Sequence, residues 1–155
     1  MRGLVALFLI VMPFDGKAQR PDELYILLGS YHALPLAETF DYQETNPGLL
    51  FVWEDQVAGF DLVAGAYENS FSDTSALLGL AKTWMLSSEL ELRGLLAISN
   101  YDVEDPIFQP LGGGLVVIPA VQISWRHAFV QATPIPDPDN AGFVFSYGLS
   151  FDLGR

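Results

Sequence analysis

The chain contains no cysteine, so neither a disulfide staple nor a metal-thiolate site is available to it. Positive charge is scarce: 7 Lys and Arg stand against 19 Asp and Glu, for a formal net charge of −12. A polyanion held by broad basic attraction is thereby excluded, nucleic acid first, whereas a single anionic ligand at a specific site is not. Charge of either sign is low, at 17% of residues, while 50% are hydrophobic. Long apolar runs are missing as well. The longest, Gly3 to Phe14, is interrupted by Pro13 and falls short of the roughly 20 residues that a spanning helix needs. With Arg2 before it and Gly16-Lys17-Ala18 after it, that run has the n-region, h-region and small-x-small site of an export signal. The sequence predicts a signal peptide over 1–18 and a single domain over 19–155. Loss of Arg2, Lys17 and Asp15 makes the mature chain one unit more negative.

What the chain has in abundance is alternation with a period of two. From Val57 to Trp84, Phe60, Leu62, Ala64 and Ala66 alternate with Asp61, Val63, Gly65 and Tyr67; beyond a polar loop, Ala76, Leu78 and Leu80 alternate with Leu77, Gly79 and Ala81. This is two strands joined by a loop that carries Asn69 and Ser70. Further strands are predicted at 25–33, 48–54, 89–99, 115–125, 128–133 and 142–153. The last places Phe143, Phe145, Tyr147, Leu149, Phe151 and Leu153 on one face, with Ser146, Gly148, Ser150 and Asp152 on the other. Connections are tight at 55–56, 85–88 and 126–127 and longer at 34–47, 69–75, 101–113 and 134–141. Short turns at one end and long loops at the other, with strands near the roughly 9–11 residues that cross a bilayer at a tilt, predict an all-β, eight-stranded antiparallel transmembrane β-barrel. A closed barrel leaves no unpaired edge in hydrocarbon. A secreted lipocalin-like barrel or sandwich is the rival fold, and the final strand argues against it by the aromatic surface it would leave wet.

On this topology His32, late in the first strand, and Asn69-Ser70 share the long-loop rim. Together with Tyr31-His32-Ala33, the segment AGAYENSF and the run IPAVQISWRHAFVQATPIP, they make the chain resemble the lipid A palmitoyltransferases, eight-stranded outer-membrane barrels that move an acyl chain from a phospholipid onto lipid A. The resemblance follows strand order over most of the mature chain. In that family a His, an Asp and the following Ser at the rim are needed for transfer; the matching positions are His32, Asn69 and Ser70, so the Asp is replaced by an amide. Acyl transfer needs a base for the accepting hydroxyl and a donor for the oxyanion. The resemblance implies His32 as base and Ser70 as donor or nucleophile, with Asn69 as an amide donor; Glu68 and Asp73 are the carboxylates in sequence range to replace the Asp. Read from the residues alone, Asn69-Ser70 is ordinary turn chemistry, His32 an interfacial polar residue and His127 a turn residue.

The family also has an apolar interior that measures the acyl chain and is entered sideways where prolines weaken the ladder. By resemblance Ile26, Leu28, Val63, Leu77 and Ala81 line such a well, and Pro119, Pro134 and Pro136 mark lateral access. Asp61, Arg93 and Asp152 imply that the interior is not dry throughout. Ala81 stands where the family uses glycine to set chain length, which implies a chain shorter than palmitate. The family's N-terminal amphipathic helix and closing aromatic residue have no counterpart. The implied function is acyl transfer to lipid A or a related lipid acceptor in the outer membrane of a Gram-negative bacterium, by a monomer with phospholipid and lipid A as partners and neither cofactor nor metal. The alternative is a non-catalytic barrel with a structural, adhesive or lipid-binding role.

Overall fold

The computed structural model describes residues 20–33, 42–101, 114–135 and 142–154; the expected signal peptide and Pro136 lie outside them. Among the described residues eight strands follow one another: β1 (Glu23–Ala33), β2 (Gly48–Val57), β3 (Phe60–Glu68), β4 (Thr74–Met85), β5 (Leu90–Asn100), β6 (Leu115–Trp125), β7 (Ala128–Ile135) and β8 (Gly142–Asp152). Each pairs antiparallel with the next, and β8 returns to β1 from Glu23↔Asp152 to Ala33↔Phe143, so the sheet closes into a barrel.

Side-chain alternation follows the pleat. In β4, Ser75, Leu77, Gly79 and Ala81 are buried while Ala76, Leu78 and Leu80 are exposed. In β8, Phe143, Tyr147, Leu149 and Phe151 face outward and Gly148 and Ser150 inward. Gly148 leaves its interior position to Phe129: a Cβ there would sit 2.8 Å from the Phe129 ring and against the Ile26 carbonyl. Phe129 uses that space to meet Tyr25 edge-on, with centroids 5.1 Å apart.

Three short turns share one end, at Ala58-Gly59, Leu86–Glu89 and Arg126-His127. The first differs from the expected Asp55-Gln56. Asp55 takes φ 52° as an irregularity inside the β2–β3 ladder, and β2 continues to Val57. A two-residue hairpin of type I′ needs positive φ at both central residues, and Ala58 (51°) and Gly59 (81°) supply it.

The lower half of the interior, toward the short turns, is closed by a charged cluster. Arg93 donates to Glu23, to the Tyr25 hydroxyl and to Thr83 Oγ1, each at 2.7 Å. Thr83 in turn donates to Asp61 at 3.0 Å. Pairing and hydrogen bonding are what make a buried guanidinium tolerable. Asp61 and Arg93 do face inward, but Asp152 is exposed at the strand end and accepts from the Gly154 backbone. Above this floor lies a packed layer that includes Val52, Val63, Ala81 and Ala97.

Candidate functional site

Over that layer the interior opens into a cavity of about 170 Å³, walled by Leu27, Leu50, Leu77, Leu95, Val116 and Ile118 below and by polar groups at the long-loop rim. His32 reaches it from β1 and is 7% exposed. Its ring stacks on Tyr42, centroids 4.3 Å apart and nearly parallel. Tyr42, Phe71 and Tyr101 continue edge to face across the mouth. The Tyr101 hydroxyl is 2.9 Å from that of Tyr67, which lies 3.1 Å from Ser99 Oγ. Burial first, then the neighbouring Tyr67 phenol, hold Tyr101 protonated well above its ordinary range, so the mouth presents neutral hydroxyls.

Asn69 and Ser70 both line the cavity, but their side chains differ in availability. Asn69 Oδ1 accepts from the backbone of Phe71 (2.9 Å) and Asp73 (3.1 Å), and Nδ2 donates to Ser75 Oγ at 2.9 Å. At 1% exposure it is fully committed to shaping the β3–β4 loop, the turn chemistry its residue type favours. Ser70 is half-buried, and its carbonyl takes the Gln43 N–H. Neither carboxylate expected to replace the Asp engages the imidazole: Asp73 is exposed in the loop, and Glu68 accepts from Gln43 Nε2 at 3.4 Å. Glu44, whose backbone carbonyl accepts the Ser30 N–H two residues from His32, lies in an irregular segment that pattern reading passed over as a site.

The expected well residues divide. Val63, Leu77 and Ala81 face inward. Only Leu77 borders the cavity; Val63 and Ala81 are packed beneath it. Ile26 and Leu28 do not line the interior: Leu28 is 46% exposed, and both border a groove on the outside. The cause is a bulge in β1, where the register against β8 slips between Leu27 and Gly29. One extra residue reverses the faces, so Tyr25 and Leu27 point inward below the bulge and Ser30 and His32 above it.

Two of the interstrand ladders stop short of the strands' upper ends. The β6–β7 ladder stops at Val121↔Ala132, although both strands continue beyond it. Pro119 and Pro134 stand just past that point, both exposed, and Pro134 also lines the cavity. The β1–β2 ladder stops at Leu27↔Gly48, immediately below Pro47. Above it the segment 42–47 is stitched in by Ser30 N–H to Glu44 O and Glu68 N–H to Pro47 O. Leu27 borders both the cavity and the outer groove beside this second ladder end, which the sequence did not signal.

Set against known proteins, the chain matches no family model and no curated protein.

Proposed function

We propose that the barrel spans the outer membrane of a Gram-negative bacterium and transfers an acyl chain from a phospholipid to lipid A or a related lipid acceptor at the long-loop rim. Membrane insertion is supported by the outer surface. Every strand contributes exposed large apolar side chains to it, among them Leu49, Leu80, Leu96, Val121, Val130 and Leu149, a continuous belt that a water-soluble monomer rarely exposes. Trp84 and Trp125 border it near the short turns and Tyr31 and Phe143 near the long loops, the placement of interfacial aromatic girdles.

The observation that carries the activity is an apolar cavity closed below, bordered by a ladder end beside Pro119 and Pro134, and topped by a buried histidine whose Nδ1 has no hydrogen-bond partner among the described residues; acyl chains enter sideways at that ladder end. An acyl chain fills the cavity with its ester at the rim. His32 takes the proton of the acceptor hydroxyl as that oxygen bonds to the ester carbon and the carbonyl pair moves onto oxygen. Collapse breaks the bond to the phospholipid's glycerol oxygen, which receives the proton from His32 and leaves as a lysophospholipid. Ser70 is a hydroxyl donor at the same mouth. The test is purified protein in detergent with labelled phospholipid and lipid A. Transfer lost in His32→Ala, with the barrel still folded, supports this function; absence of transfer by the wild type overturns it.

The engagement of Asn69 in its own loop favours a second reading, a non-catalytic barrel that holds a lipid chain in the same cavity. Lipid binding by wild type and His32→Ala alike, with no transfer, identifies it.

A further inference from the structure

Two buried side-chain nitrogens among the described residues lack any hydrogen-bond partner, His32 Nδ1 and Asn46 Nδ2. Both residues are 7% exposed and both line the same cavity. An orphaned buried polar atom forfeits its solvation for nothing, and native proteins keep few of them without a functional reason. Two at one cavity mouth call for a ligand.

Asn46 is held in place for that purpose. Ser30 Oγ lies 2.5 Å from its Oδ1 and donates to it, which leaves the amide N–H₂ as the unsatisfied group; turning the amide over would leave two groups without a partner among the described residues, its Oδ1 and the Ser30 hydroxyl proton. The residue sits in the segment 42–47, anchored by Ser30 N–H to Glu44 O and Glu68 N–H to Pro47 O. Ser30 and His32 are two residues apart on the same inward face of β1, about 7 Å along the strand. The amide therefore lies about one pleat deeper than the imidazole. Asn69, the other amide at the mouth, is set apart because its Oδ1 and its Nδ2 both have partners within its own loop, whereas Asn46 Nδ2 has none among the described residues.

The chemistry of the missing partner follows. A free N–H₂ needs an acceptor. No Lys or Arg is among the described residues that line the cavity, so a carboxylate or phosphate there would have no Lys or Arg countercharge from them, whereas a neutral carbonyl would need none. With apolar walls directly below, the acceptor is a carbonyl at the head of an alkyl chain. We infer that Asn46 Nδ2 binds the ester carbonyl of an acyl chain seated in the cavity and, if the barrel is the acyltransferase proposed above, donates to the oxyanion as the acceptor adds. The binding half stands on the cavity alone; the catalytic half rests on that function.

The experiment compares lauroyl lysophosphatidylcholine with its dodecyl ether, which has the same chain and headgroup but no carbonyl, by titration of the protein held in amphipol. Wild type binds the ester roughly 3-fold to 10-fold more tightly, the range of one net hydrogen bond. Asn46→Ala binds the two equally, and Ser30→Ala, which releases the amide, narrows the gap. Equal affinity in the wild type, or no binding of either lipid, overturns the inference. Should either variant fail to show the heat-dependent gel mobility of a folded barrel, the wild-type comparison decides alone. Ester preference without any transfer overturns the proposed enzyme and leaves the carbonyl site standing. Where transfer occurs, Asn46→Ala lowers kcat about 10²-fold with little change in KM, as loss of an oxyanion donor does; a fall in affinity with kcat intact limits Asn46 to binding.

Discussion

At the scale of single residues, the rim separates groups that shape the loop from groups that face the cavity. Asn69 belongs to the first kind, since both ends of its amide are used within residues 69–75. Asn69→Ala strips three hydrogen bonds from a buried site and is expected to destabilise the barrel by about 1–3 kcal/mol, measured by urea unfolding in detergent. The same bookkeeping changes the expectation for Asn69→Asp. In the proposed transferase a carboxylate at this position would be sought to orient His32, but here the side chain accepts from the backbone N–H groups of Phe71 and Asp73 and donates to Ser75 Oγ, whose proton goes to the Asn100 carbonyl; a carboxylate keeps the first two bonds, loses the third and does not orient His32. Residue type marked Asn69 as turn chemistry, which its hydrogen bonds bear out, and placed His32 late in the first strand, where it lies in β1. It could not mark Ser30 and Asn46, because their pairing spans 16 positions and an irregular segment.

At the scale of elements, the barrel's seams and its tight contacts come from the same few residue types. Gly148 is the contact case. Gly148→Ala pushes a methyl into the Phe129 ring and the Ile26 carbonyl, an overpacking expected to cost about 1–3 kcal/mol and visible as a lower midpoint of unfolding. Pro119 and Pro134 are the seam case. Neither offers an N–H, and the β6–β7 ladder ends beside them. Replacing both, as Pro119→Val with Pro134→Thr, returns two donors to strands that already run alongside each other. The expected outcome is greater resistance to heat-induced unfolding and, if acyl chains enter by this seam, a transfer rate lowered at least several-fold; an unchanged rate assigns entry to the β1–β2 seam at Pro47.

At the scale of the whole molecule, an inside that is charged below and apolar above is wrapped in an apolar exterior. The membrane prediction belongs here. Spin labels at Phe145 and Leu149, both on the outward face of β8, are expected to report lipid rather than water contact in reconstituted vesicles; water contact at both sites would sink the transmembrane proposal. A tag inserted at Asp73, in the β3–β4 loop, is expected to be accessible on intact cells, and a protected tag reverses the orientation.

Strand number, strand order and most strand boundaries were legible in the chain because they depend on local quantities: a two-residue period, turn residues, and loop lengths that alternate short and long. The barrel's closure follows from these, since an open sheet of such strands would leave both β1 and β8 with an unpaired edge. Two kinds of fact were settled only by the tertiary structure. One is parity across the bulge at Leu28: a single extra residue exchanges the two faces, which put Ile26 and Leu28 outside and Tyr25 and Leu27 within, and no local signal marks it. The other is where ladders stop and what side chains meet across the interior. Arg93 with Glu23 and Ser30 with Asn46 join positions 70 and 16 apart; a period of two states which face a residue takes, but only the closed barrel brings the partners on that face together.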